Sequence, residues 1–470
     1  MARIYFIYTN ISSVYSTDRF HFGIASISSV LKQNGHKTRL FSIGEYKQIK
    51  SIFKELEEFR PDVVAFSAIS TQFKHVQRIT SEIKKSFDIM TICGGIHTTL
   101  VPDCLEESEG LDAIVMGEGE YPLLELANAI DSGEDRLDLK NFWFKKNGEI
   151  IKNELRPLIS DLDVLPFVDR ELFAQQNIID TAGGLAGFMF SRGCPFKCTY
   201  CCNHTLSRLY QGKGKYVRFR GIESALAEIE DVTQKYRVTQ LAFGDDTFTA
   251  DTKWVIGFLA EYKKRFNYPF KCQVRPGTCS RETFQLLKEA GCYLVAIGIE
   301  SGNPYILNEV MKRTFTIEQI EETFRNAHEA GLKTIAGNIL GIPGEDVGTI
   351  KDTINLNIKI NPTSSVAGLF YPYIGTDLRK LCEEKGFKIK DVSDKFVERR
   401  DVAVELPTIK TNDLLYYARN FRYLVHKGNS PRKALYFKVY DNPNLLLVRM
   451  LLRIIRVFIP SRLRRKILAD

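Results

Sequence analysis

Four cysteines crowded into nine residues are where this chain's residue types could do chemistry. In S-R-G-C-P-F-K-C-T-Y-C, Cys194, Cys198 and Cys201 follow a CxxxCxxC spacing, with Cys202 directly adjacent. Thiolates are soft ligands that suit iron–sulfur clusters. Three of them on one short loop can hold three irons of a [4Fe–4S] cube and leave the fourth iron open. Read instead as a structural zinc site, the loop would need a fourth donor, and Cys202 or His204 is close enough to supply it. Cys202 breaks the spacing and is left out of the cluster set. The start, MARIYFIYTN, lacks the charged end, apolar core and cleavage site of a signal peptide. A cytoplasmic, reducing location is therefore expected, where crowded cysteines serve metal or catalysis rather than a disulfide framework.

The elements that must position this loop are legible as two alternating series. Strand-like runs at 3–8, 37–42, 62–67, 89–93 and 112–115 alternate with helical patterns such as Gln48–Phe59 and Thr71–Phe87. Short buried strands alternating with helices predict a parallel, doubly wound sheet whose ligands sit beyond the strands' carboxyl ends. Those ends carry Ser67–Ser70, Gly94-Gly95-Ile96-His97 and Gly117-Glu118-Gly119-Glu120. Residues 131–180 break the alternation, with a small hairpin expected in NFWFKKNGEI and an irregular linker after it. From Gly184 six more strands are expected near 187–191, 239–243, 270–274, 293–299, 333–340 and 365–371, enough for an open partial barrel. The expected fold class is α/β: a flavodoxin-like domain over 1–135, a linker over 136–180, a partial (β/α)6 barrel over 181–390 and a helical C-terminal region over 391–470.

Charge narrows the partners. Of the net +8, the six arginines and Lys466 between Asn442 and Ala469 supply seven, and Asp470 removes one. The first 441 residues thus carry only about +2, which argues against a general nucleic-acid surface. The basicity belongs to the tail. Leu445–Ile459 reads LLLVRMLLRIIRVFI, with Arg449, Arg453 and Arg456 on one narrow face of a predicted helix and apolar residues elsewhere. Pro460 ends it, and a basic cluster follows. That pattern predicts either a helix lying in an anionic membrane interface, through about 445–467, or a terminal helix packed on protein.

Beyond these patterns, the chain resembles radical S-adenosylmethionine (SAM) enzymes with an N-terminal cobalamin-binding domain, across about residues 1–385. The cysteine loop matches that family's pattern, with Tyr200 as the aromatic position beside the adenine. Gly244-Asp245-Asp246, after the second barrel strand, stands where the family binds the methionine amino group, with either aspartate eligible. Arg275, in QVRPG, is placed to meet the methionine carboxylate. Glu300-Ser301 and Ile342, within GIESG and GNILGIPGE, look like later cofactor-contacting strand ends. Gly94-Gly95-Ile96-His97 resembles the loop against the cobalamin tail. The Asp-x-His-x-x-Gly signature of cobalt-ligating modules is missing, and none of His21, His36, His75 and His97 has its context. Methylthiotransferases do not fit, because Cys93 and Cys104 are the only N-terminal cysteines and the tail is apolar and basic.

The resemblance implies three cofactors: a [4Fe–4S] cluster, SAM and cobalamin. It implies reductive cleavage of SAM to functionalise an unactivated carbon, by methyl transfer in the first reading. Cyclisation or oxidative rearrangement of the porphyrin-cyclase type is the alternative enzyme reading, and a zinc-stabilised scaffold the non-enzyme one. Partners would be a small-molecule or lipid substrate and an electron donor such as flavodoxin or ferredoxin.

Overall fold

In the computed structural model, residues 1–11, 20–390 and 396–441 are described. The five N-terminal strands are β1 (Arg3–Thr9), β2 (Lys37–Ile43), β3 (Val63–Ser67), β4 (Met90–Gly94) and β5 (Ala113–Val115). They pair in parallel in the order β2-β1-β3-β4-β5, the doubly wound order of flavodoxin-like domains. Side chains of β1 alternate between two cores, Tyr5 and Ile7 on one face, Ile4, Phe6 and Tyr8 on the other. A strand buried on both faces needs a continuous apolar run, which RIYFIY supplies.

The expected hairpin forms as β6 (Phe142–Lys146) and β7 (Glu149–Lys152). It joins the first sheet, with β6 antiparallel to β5. The first sheet therefore runs past residue 135 into the segment read as linker. Phe142 and Phe144 are its anchors: both face the first domain's core, and their rings stack 4.9 Å apart.

The second sheet contains β8 (Leu185–Phe188), β11 (Gln240–Phe243), β12 (Phe270–Val274), β13 (Cys292–Glu300), β14 (Lys333–Leu340) and β15 (Ser364–Leu369). All six are parallel, in the order β15-β14-β13-β12-β11-β8, with no pairing of β15 to β8. It is the expected open barrel-like sheet. A short antiparallel ribbon of β9 (Ser191–Arg192) and β10 (Arg218–Phe219) stands beside it. Four helices that follow its strands start on side-chain caps, Asp251, Ser280, Thr316 and Asp346, each accepting from a backbone N–H three residues on.

The connecting segment ties the two sheets together. Asp169 accepts from Ser28 at 2.6 Å and pairs with Lys32 at 2.7 Å. Its neighbour Arg170 forms a buried ion pair with Glu228 at 3.1 Å. Helices Thr411–His426 and Pro431–Tyr440 close the C-terminal side, where Leu414, Phe421 and Val425 join a core with Leu340 and Leu369. No helix among the described residues is long and apolar enough to cross a membrane. The basic segment 445–467 lies outside the described residues.

Candidate active site between two sheets

The cysteine loop leaves β9 through Gly193, whose φ of 84° puts it in the left-handed region. A Cβ there would lie 2.5 Å from the Tyr216 carbonyl oxygen, so the bend requires glycine. The loop is pinned at its centre: Thr199 donates from its N–H to the Met311 carbonyl and from its hydroxyl to that of Val310. Cys198 is 5% exposed, while Cys194 and Cys201 are half-buried. Burial pushes the Cys194 thiol above its ordinary value. Hydrogen bonding with Cys202, then burial, does the same for Cys201. Ionising these sulfurs therefore needs positive charge from a bound metal group or neighbouring cations. Cys198 has such cations, because Arg275 and Arg313 each donate an Nη1–H to its sulfur at 3.5 Å. Donation from two guanidinium groups suits a thiolate, and that donor set fits a cluster ligand. No group of three or more His, Cys, Asp or Glu side chains among the described residues is placed to hold a single metal ion.

The two aspartates after β11 have opposite surroundings. Asp245 is 1% exposed, and its Oδ1 accepts from the Phe190 and Ser191 N–H groups and the Ser191 hydroxyl at 2.6–2.9 Å. It braces the strand that launches the cysteine loop. Asp246 is exposed in the cavity described below, and accepts from Asn203 Nδ2 at 2.9 Å. Asn203 in turn accepts from the Tyr216 hydroxyl at 2.7 Å. A carboxylate held open at one side suits an ammonium group.

The remaining sequence-derived positions divide in the same way. Arg275 is buried, with Phe196 3.7 Å below its guanidinium. Tyr200 accepts from Arg313 at 2.8 Å. Glu300 adopts a φ of 66° at a register shift in β13 and lies 3.7 Å from Arg313. Ser301 and Ile342 are fully buried: Ser301 Oγ accepts from the Asn303 N–H, and Ile342 sits in the C-terminal core. Arg313 was not marked by the sequence, because nothing in KRTF distinguishes it from a surface arginine.

On the facing sheet, Gly94 and Gly95 end β4. Gly95 has a φ of 101°, and a Cβ there would lie 2.7 Å from the Ala68 carbonyl oxygen. His97 is 6% exposed, packs 4.2 Å from the Phe73 ring and pairs with the Ser70 hydroxyl; burial lowers it to about 4. It is a neutral residue of the helix start and does not line the cavity. His21 does line it. Its Nδ1 accepts from the Ile24 N–H at 3.1 Å, and burial lowers it to about 4.

These two sets of loops enclose one cavity of about 480 Å³, between the carboxyl ends of both sheets. Gly94, Gly95 and Gly117–Glu120 wall it from one side, Arg192, Cys202, Asn203 and Asp246 from the other. Across it runs a charge clamp. Arg192 donates to Glu118 at 2.8 Å and to Glu120 at 2.5 Å, and Arg218 reaches Glu118 at 3.0 Å. Burial works against ionised Glu120, yet Arg192, with a hydrogen bond from Ser26, holds it below the usual carboxylate range. The glycine-walled face fits a bulky ligand, and the open Asp246 fits a charged amine.

This geometry agrees with the comparisons to known proteins. Residues 188–356 match the radical SAM superfamily, and residues 11–127 match the B12 binding domain. An uncharacterized methyltransferase of Pyrococcus horikoshii is 27% identical over 361 residues, spanning 76% of this chain and 77% of its own. An anaerobic magnesium-protoporphyrin IX monomethyl ester cyclase of Rubrivivax gelatinosus is 27% identical over 380 residues, 78% of this chain and 66% of that protein. The fold is shared with the radical SAM methyltransferase TsrM of Kitasatospora setae, at a TM-score of 0.68 and 19% identity, over 82% of this chain and 76% of that one. A radical SAM domain joined to a B12-binding domain defines the class of protein. The chain belongs to the cobalamin-dependent radical SAM family, whose cofactors are a [4Fe–4S] cluster, SAM and cobalamin.

Proposed function

We propose that this protein transfers a methyl group to an unactivated carbon of a small, lipid-soluble molecule. The observation that carries the proposal is the cavity that the ends of the cysteine loop, Gly193 and Cys202, share with the glycine-walled strand ends, where in this reading both cofactors address one substrate. In this reading Cys194, Cys198 and Cys201 hold the cluster, and Asp246 meets the methionine amino group. Tyr200 flanks the adenine side, and Gly94 and Gly95 admit the cobalamin tail. When bound, these cofactors would supply SAM cleavage to a radical that abstracts a hydrogen atom from carbon, and a methyl donor. The chain supplies placement. Asp245 fixes the strand before the cysteines, Asn203 orients Asp246, and buried apolar walls such as Leu123, Leu162 and Leu165 line the cavity. His21 lines the same cavity, with its Nδ1 accepting from the Ile24 N–H and its Nε2 3.4 Å from the Ser67 hydroxyl.

Apolar walls and the porphyrin-ester substrate named for the Rubrivivax relative support a lipid or tetrapyrrole substrate. A small one-electron protein of the flavodoxin or ferredoxin type would serve as reductant. The basic-apolar sequence of 445–467 supports peripheral contact with an anionic membrane. Flotation with anionic liposomes at low salt, full chain against a version ending at Asp441, tests that contact; equal flotation removes it.

Product analysis tests the activity. Anaerobically reconstituted protein with cobalamin, reductant and SAM is expected to form both 5′-deoxyadenosine and cobalamin-dependent S-adenosylhomocysteine. 5′-Deoxyadenosine without S-adenosylhomocysteine would favour cyclisation or rearrangement. Neither product, with zinc bound instead of iron and sulfide, would return the scaffold reading.

A further inference from the structure

The cysteine loop carries a feature that cluster binding alone does not require. Two arginines aim at one of its three sulfurs. Arg275 is 5% exposed and Arg313 7%, and each donates an Nη1–H to Cys198 at 3.5 Å. Aromatic faces enclose them: Phe196 lies 3.7 Å from the Arg275 guanidinium, and Phe315 lies within 5 Å of both. Arg313 also donates to the Tyr200 hydroxyl at 2.8 Å and to the Gly298 carbonyl. Counter-charge is sparse. Glu300 lies 3.7 Å from Arg313, and among the described residues no carboxylate forms an ion pair with Arg275. Two buried cations facing one acid are costly unless negative charge gathers beside them. The sulfur they share is where that charge would be.

We infer that Arg275 and Arg313 set the cluster's reduction potential by placing two guanidinium cations on the Cys198 sulfur. The inference rests on the cluster assignment proposed above. A reduced cluster carries one more negative charge than an oxidised one. Nearby cations and hydrogen bonds to cluster sulfur therefore stabilise the reduced form more and raise the potential. Burial strengthens the effect, because water screens these cations poorly. The three sulfurs then become unequal: Cys198 carries both charge-assisted donors, while Cys194 meets the Thr247 hydroxyl at 3.6 Å and Cys201 the Asn203 amide at 3.9 Å. Both arginines are positioning residues acting through Cys198.

The test is a redox titration of the reconstituted cluster without SAM, followed by electron paramagnetic resonance. Arg275→Gln and Arg313→Gln, at parent iron and sulfide content, are each expected to shift the midpoint to more negative potential. The double variant should shift further, and Arg275→Lys and Arg313→Lys should fall between parent and glutamine variants. A parent midpoint in either cluster-replete glutamine variant overturns the inference. Should the glutamine variants not load, a parent midpoint in both lysine variants overturns it, since one ammonium cannot replace the donor fork. SAM affinity separates the alternative for Arg275. Weaker SAM binding at an unchanged midpoint would make it a carboxylate-binding residue and overturn its redox role. A parent protein that loads no cluster would instead defeat the cluster assignment itself.

Discussion

Asp245 and Asp246 are adjacent in sequence, yet one is structural and the other faces the cavity. Strand alternation says only that one of such a pair points inward; the three donors converging on Asp245 decide which. Asp246→Asn should leave iron content unchanged and weaken SAM binding about tenfold or more, the loss of one charge-assisted hydrogen bond worth roughly 1.5–3 kcal/mol. Calorimetric titration of reconstituted protein checks it, and unchanged affinity would remove Asp246 from the site. Asp245→Ala strands three donors, so lower iron content and a lower melting temperature are expected. Glu345 makes a second prediction at this scale. Its Oε2 accepts from the Gly341 and Ile342 N–H groups at 2.6 and 3.0 Å, Oε1 is buried without a partner, and burial pushes the carboxyl up to about 8. Because the folded value exceeds the unfolded one of about 4.3, the folded chain binds the proton more tightly. Its contribution is full below about pH 4 and is lost as pH rises towards 8, on the order of a few kcal/mol. Urea unfolding across that window should show Glu345→Gln losing less stability than the parent. Parallel pH profiles for the two would place the titration elsewhere.

At the scale of elements, most of the architecture was legible, for a reason visible in β1 and β3. Strands buried on both faces need uninterrupted apolar runs, and VVAFS, short and rich in β-branched and aromatic side chains, reads as one. The hairpin's destination was not legible, because strand pairing between β5 and β6 depends on non-local contacts that NFWFKKNGEI does not encode. Nor could spacing show which glycines at the strand ends are obligatory. The structure separates Gly94 from Gly95. A Cβ at Gly94 meets nothing closer than 3.7 Å, whereas at Gly95 it would meet the Ala68 backbone at 2.7 and 2.8 Å in a left-handed conformation. Gly95→Ala should therefore destabilise the N-terminal domain by about 2 kcal/mol or more and abolish cobalamin retention, with iron content kept. Gly94→Ala should melt like the parent. Equal melting of both variants would mean that the loop after β4 relaxes around the added carbon.

Across the whole molecule, the cysteine loop and the cobalamin-type domain are joined by side chains that no sequence motif links. Glu118 and Glu120 belong to a recognisable strand end, but their partners Arg192 and Arg218 lie more than seventy residues further on, in a ribbon too short to leave a periodic signal. Arg192 stands two residues before Cys194, so the clamp fixes the cysteine loop directly against the wall of the facing domain. Removing one partner of a buried pair costs about 3–5 kcal/mol, since the other charge is left uncompensated. Here that charge is Glu120, whose side chain is 3% exposed. Arg192→Gln should accordingly loosen the two sheets while each stays folded. Cobalamin retention on gel filtration would fall, proteolysis within 153–180 would quicken, and iron content would hold. Acid should mimic the variant. The Glu120 carboxyl is held below its ordinary value, so the clamp's contribution is present above the unfolded value of about 4.3 and is lost as pH falls through the folded one. Parent protein should then shed cobalamin on acidification, and Arg192→Gln should show a weaker dependence because it starts without the clamp. A variant that keeps cobalamin, resists protease and follows the parent's acid profile would show that the connecting segment, through the Asp169–Ser28 and Arg170–Glu228 contacts, holds the two sheets together without the clamp.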